Sequence, residues 1–161
     1  MRRMYKIVGT AALLTLAAAL LVLPQVASSK SVAISPQEPA TEAVPAFHDA
    51  PPTGALPDTL SPALFNDTLA QNAYTIAARI KKVLYQQPCY CHCDRSQGHT
   101  SLLDCFTARH AAVCGTCERE DFYAYEQTHK GKTPAQIRDG IERSDWEKLD
   151  VTKYQSPLPV K

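Results

Sequence analysis

The chain has 161 residues, and 17 basic against 16 acidic side chains leave a formal net charge of +1. That balance excludes the strongly basic surface expected of a protein built to hold nucleic acid or an anionic membrane face. Cysteine is the unusual component: all six lie between positions 89 and 117.

The N-terminus carries the first pattern. Arg2, Arg3 and Lys6 precede an apolar run from Ile7 to Leu23, and Pro24 then leads into Val26, Ala27, Ser28 and Ser29. Basic, apolar and small in that order describe a secretory signal peptide over 1–29. Left uncleaved, the same segment is an N-terminal anchor, although about 17 residues at ~1.5 Å each reach ~26 Å, a little short of a bilayer core. Either way the domain that follows is expected to be extracytoplasmic, in the periplasm, the cell envelope or the medium, with membrane contact only through an uncleaved segment. Arg2-Arg3 also bears a faint likeness to a twin-arginine signal, the route that carries folded, already metallated domains.

From 30 to 60 the composition shifts to Pro36, Pro39, Pro45, Pro51, Pro52 and Pro57 among small residues and acids. Such a stretch offers little apolar surface to offset its ordering entropy, so it is expected to be a disordered spacer, with His48 solvated in it. A spacer of this kind would let the domain reach an envelope protein partner.

The remaining compact part, 61–150, predicts a small, mainly α domain with a cysteine-rich loop and a flexible tail at 151–161. A domain of this size makes a modest core and often recruits a covalent or metal staple. Ser61-Pro62, or equally Asn66 and Asp67, supply a helix start. Leu69, Ala73, Ile76, Ile80 and Val83 then recur at spacings of four and three, on one helical face. Pro88 ends that helix. Ser101 with Asp104 resembles a capping box opening a short helix through about Ala111. A third helix is expected to start near Cys114, where Glu118, Glu120 and Asp121 suit the positive end of the dipole. It carries Phe122, Tyr125 and His129 on one face and stops at Gly131. Thr133-Pro134-Ala135-Gln136 starts a fourth, with Ile137 and Ile141 inward. Trp146 and Leu149 are expected to fold back on the core.

Pro88-Cys89-Tyr90-Cys91-His92-Cys93 puts three thiols at alternate positions. In an extended chain all three face one side, and in a tightly curved loop they wrap about one ion. A disulfide within the triplet is disfavoured, because cysteines so near in sequence rarely reach the required geometry without strain. Each thiol therefore needs a metal or one of Cys105, Cys114 and Cys117. Exposed thiols do not persist in an oxidising compartment, so all six should be engaged.

Three against three suits three disulfides and a disulfide-stapled interaction module. Crowding three thiols into five residues and adding a C-x-x-C favours metal instead. A thiol-disulfide oxidoreductase resting on Cys114 and Cys117 is a third reading. Thiolates with auxiliary imidazole select Cu(I) or Zn(II) over Ca(II) and Mg(II). Four thiolates close a zinc site and leave two over, whereas several sulfur-bridged Cu(I) ions use all six, so Cu(I) is preferred.

The candidate metal ligands are Cys89, Cys91, Cys93, Cys105, Cys114 and Cys117, with His92 and His99 as auxiliaries. His110, five residues after Cys105 and off its helical face, is set aside. No catalytic constellation is found: Glu118 after Cys117 breaks the haem pattern C-x-x-C-H, no βαβ pattern surrounds Cys114-Gly115-Thr116-Cys117, and no phosphate loop or G-x-S-x-G occurs.

The run Pro88 to Cys93, then Gly98-His99-Thr100-Ser101 with Asp104-Cys105, then Cys114-Gly115-Thr116-Cys117, then Ile137-Arg138 and Ile141, resembles bacterial proteins named for a PCYCGC motif. Those proteins are exported or lipid-anchored and have no assigned biochemical function. The likeness runs from about Leu69 to Ile141. His92 stands where the family name has glycine, which adds a candidate ligand or removes a flexible turn. No cysteine follows the apolar run to accept a lipid. The resemblance implies a shared domain and no mechanism.

Overall fold

The computed structural model describes residues 43–159; the expected signal peptide or anchor at 1–29 and the first part of the expected spacer lie outside the described residues. Among the described residues the protein is mainly helical, with no strand, and no helix is long and apolar enough to cross a membrane.

Both expected start signals are used, for different elements. Ser61 Oγ accepts from Ala63 N at 3.3 Å and opens a 3-10 turn, Pro62–Leu64, while Asp67 Oδ2 accepts from Ala70 N at 2.9 Å and caps α1, Thr68–Arg79. The apolar face of α1 is buried at Ala73, Tyr74, Ile76 and Ala77. The helix does not run unbroken to Pro88. Ile80 leaves helical geometry (φ −116°, ψ 27°) and a short α2, Lys81–Leu84, follows it.

Two brief helices carry the cysteine-rich region: α3, Cys93–Gln97, and α4, Asp104–Thr107. The expected capping box between Ser101 and Asp104 is not formed. Asp104 Oδ2 instead accepts from Thr100, from its N–H at 2.7 Å and its hydroxyl at 2.9 Å. α4 also stops earlier than expected, because Ala108 is extended (φ −128°, ψ 177°), and a 3-10 turn covers His110–Val113.

The longest helix, α5, is Gly115–His129 with Cys114 at its N-cap. Gly131 (φ 74°) turns the chain at its end, in the left-handed region that glycine adopts without steric cost. α6, Pro134–Glu142, opens on a complete capping box between Thr133 and Gln136. It packs closely on α5 at Gly140, where a Cβ would overlap the Tyr123 hydroxyl. Tyr74, Leu84, Phe106, Phe122, Ile137 and Ile141 are fully buried between these helices, each contributing about 1.5–3 kcal/mol of apolar transfer.

Two expected flexible segments are packed. Within 43–60, which composition marks as spacer, Pro45 is buried, Arg138 lies over the Phe47 ring at 4.2 Å and pairs with Asp49 at 3.1 Å, and Leu60 N donates to Phe106 O at 2.9 Å. His48 is half-buried, stacked on Tyr85 at 3.9 Å, so its expected solvation does not hold. Beyond 150, Tyr154 is buried and stacks on Phe122 at 3.9 Å, and Asn72 Nδ2 donates to the carbonyls of Tyr154 and Ser156 at 2.7 and 2.8 Å. These aromatic and amide contacts supply the ordering energy that average composition lacks. Trp146 is buried, as its fold-back predicts.

Candidate metal centre

The triplet adopts the tightly curved alternative. His92 N donates to Cys89 O at 3.0 Å, closing a turn, and His92 itself is left-handed (φ 55°, ψ 38°). From the facing helix, Glu120 Oε1 accepts the N–H of Tyr90 at 2.8 Å and ties the loop to α5. On the other side, Leu102 N donates to Gln87 O at 2.9 Å and brings α4 alongside. The extended backbone at Ala108 then returns the chain toward the loop, and the 3-10 turn leads directly into the N-cap of α5.

Sulfur atoms from three separated segments meet there. Cys89 Sγ lies 3.3 Å from Cys91 Sγ and 3.5 Å from Cys117 Sγ, Cys91 lies 3.5 Å from Cys117, and Cys93 lies 3.5 Å from Cys105. Among the described residues two sets of donors each converge within 4.8 Å: Cys89, Cys91, Cys93, Cys105 and Cys117, and Cys91, His110, Cys114 and Cys117. Thiolates about 2.3 Å from a tetrahedral ion sit roughly 3.8 Å apart, so these separations suit soft-metal coordination after small adjustment.

Cys91 and Cys93 are joined as a disulfide, and the other four cysteines are free. This corrects the expectation that no bond forms within the triplet: the turn at His92 sets the two Cα atoms 5.7 Å apart, inside the ordinary disulfide range. The bond spans only two positions, so it cross-links no two helices.

His110 is the residue that helical reasoning discards and the fold recruits. Its Nε2 lies 3.0 Å from Cys93 Sγ and 3.6 Å from Cys91 Sγ. α4 ends at Thr107, so His110 does not share a helix with Cys105. The spacing His-x3-Cys-x2-Cys, through Cys114 and Cys117, is the signal that points to it. His99 borders the cluster, with Nδ1 3.3 Å from Cys105 Sγ, but neither converging set includes it. His92 is also outside both sets, and its Nδ1 lies 4.0 Å from Asp94 Oδ1.

Crowding controls the protonation of these thiols. Hydrogen bonding with Cys117 pulls Cys114 down to about 5, with help from the backbone N–H groups of Cys117 and Thr116 at the helix start. Cys105 is also drawn down to about 5, chiefly by Cys117, while Cys89 is pushed up to about 12 by its contact with Cys105. Cys117, hemmed in by Cys105, Cys114 and Cys89, is pushed far above the ordinary thiol range. So close a group cannot ionise fully without a cation among it. Three acids of α5 are buried, Glu118 and Glu120 beside these thiols: burial raises Glu118 to about 7 and holds Glu120 and Asp121 well above the usual carboxylate range.

A family model described as "Protein of unknown function with PCYCGC motif" matches residues 54–154. The chain belongs to the PCYCGC-motif family. No curated protein and no solved structure matches it. The PCYCGC match begins and ends beyond the short motifs, taking in the end of the Pro-rich segment, where Leu60 N donates to Phe106 O, and reaching the buried Tyr154. The motif's glycine falls at His92, the left-handed residue of the loop, which gives that position a conformational reason for glycine.

Proposed function

We propose that this PCYCGC domain is an exported soft-metal-binding module that holds Cu(I) or Zn(II) through clustered thiolates. The observation that carries this reading is the convergence of six sulfurs and one imidazole from the triplet loop, α4, the 3-10 turn and the start of α5. Oxygen-seeking ions are a poor fit to such donors. The bound ion would fasten helices too short to persist alone, and would be available for transfer to a partner in the envelope.

Native mass spectrometry of protein from the exported fraction, with and without alkylation, tests the proposal. The expected result is bound copper or zinc with no alkylatable thiol, and six alkylatable thiols after chelation and reduction. Protein that is metal-free as isolated and that, once reduced, takes up neither copper nor zinc overturns it.

One observation favours a second reading. Cys114 is half-buried, heads a helix in a C-x-x-C and is held near 5, the profile of an attacking thiolate. A thiol-disulfide oxidoreductase would turn over a disulfide substrate in a manner that depends on Cys114 and Cys117 and survives replacement of Cys89, Cys91 and Cys93.

A further inference from the structure

The two converging donor sets overlap without coinciding, and their difference in burial has a consequence. The first set is buried at Cys89, Cys93, Cys105 and Cys117; the second is half-exposed at Cys91, His110 and Cys114 and buried only at Cys117. One member of the first set, Cys89, also lies against the segment that precedes the helices. Pro45 and Ala46 line one small pocket with Cys89, Asp94, His99 and Ser101, and Ala46 N donates to Asp94 Oδ2 at 3.3 Å.

Resting on the soft-metal reading, the geometry points to a two-ion centre: an inner ion held by Cys89, Cys93, Cys105 and Cys117, and an outer, exchangeable ion held by Cys91, His110, Cys114 and Cys117. Cys117 bridges the two. The count of donors supports this division. One tetrahedral ion would leave three of the seven converging donors unused, whereas two four-coordinate ions sharing a single thiolate employ all seven. Cys91 and Cys117 are common to both sets; half-exposed Cys91 goes with the half-exposed His110 and Cys114 of the outer ion, which leaves buried Cys117 as the bridge. It lies 3.5 Å from Cys89 on the inner side and 3.5 Å from Cys91 on the outer. The outer set, with three thiolates and an imidazole, is a common zinc donor combination.

The disulfide follows the same division. Cys91 and Cys93 belong to different ions, so their bond withdraws one ligand from each. Loading therefore begins with reduction. An external dithiol gives two electrons and two protons to the Cys91–Cys93 bond and is itself oxidised to a disulfide. The two thiols so formed then lose their protons as the ions bind.

The test uses the full chain, reduced with a dithiol under anaerobic conditions, freed of excess reductant and titrated with Zn(II). Native mass spectrometry should find two zinc ions per chain, and a competing chelator should remove them in two phases whose rates differ at least about tenfold. His110→Ala with Cys114→Ser should keep one ion and lose the fast phase, with helicity by circular dichroism unchanged. Cys105→Ser should also keep one ion, this time released fast. A single ion in the native chain, still present after His110→Ala and Cys114→Ser, overturns the two-ion centre and leaves the soft-metal reading standing. Equal release rates for two ions overturn the inner and outer assignment. No zinc at all in the reduced chain overturns both.

Discussion

Phe122 and Cys117 sit five residues apart on α5, both with 0% exposure, and the chain solves their burial differently. Phe122 stacks on Tyr154 at 3.9 Å among aliphatic and aromatic neighbours. Nothing there needs an ion. Around Cys117 the neighbours are other thiols, whose full ionisation requires a cation. The main helices of the apolar region, α1, α5 and α6, are 9 to 15 residues long, whereas α3 and α4 in the sulfur region have five and four. Helices that short do not persist by themselves in water, so the sulfur region depends on cross-links that the apolar region can do without.

The largest expected effect breaks the apolar side. Phe122→Ala removes a fully buried ring and should cost about 3–5 kcal/mol of global stability in denaturant titration. Metal content under native conditions should not change. Loss of metal together with stability would show that the two regions are not separable.

The reverse experiment removes the metal. Chelation of the reduced protein should raise amide exchange across 89–114 at least about a hundredfold, equivalent to ~3 kcal/mol, while the centres of α1 and α5 remain protected. A uniform loss of protection would mean that the sulfur region also supports the core.

The contrast between the regions also marks what the sequence makes legible. Helix starts written in local chemistry are readable: Asp67 and Thr133 at their caps, Cys114 before α5, Gly131 at its end. The breaks at Ile80 and Ala108 carry no Pro or Gly, so no local signal in the sequence marks them. His110 is lost for the same reason, since its role depends on where α4 stops. Composition misleads in 43–60 and past 150 because it averages. Pro45, Phe47, Asp49 and Tyr154 each find one specific partner surface, and a few such contacts order a segment that is otherwise poor in large apolar side chains. The crowding of Cys89, Cys91 and Cys93 and the C-x-x-C at Cys114 point to a thiol cluster, whereas the bond between Cys91 and Cys93 needs the left-handed turn that only the fold reveals.

A smaller effect lies where the regions adjoin. Asp121 is fully buried, and neither carboxylate oxygen has a hydrogen-bond partner among the described residues. Burial, with Glu118 nearby, raises its native pKa above the ordinary aspartate value of 3.8. The folded state therefore holds the proton more tightly than the unfolded chain. Its contribution to stability is complete below the unfolded pKa and is lost as pH rises toward the native one. Asp121→Asn should flatten that descent and stabilise the protein by order of 1 kcal/mol at pH 7, as read from melting curves between pH 4 and 8. An unchanged slope would place the pH dependence on other groups.

The smallest effect concerns His92, at the hinge of the sulfur loop. A non-glycine residue in the left-handed region costs about 1–2 kcal/mol, partly offset by the greater entropy that glycine loses on folding. His92→Gly should thus stabilise the protein by roughly 0.5 kcal/mol, less whatever its approach to Asp94 contributes. Because His92 belongs to neither converging donor set, zinc stoichiometry and both release phases should be unchanged. If the variant instead loses an ion, the imidazole is a ligand, the seven-donor division is wrong, and the sulfur region is organised by the triplet loop rather than by the start of α5.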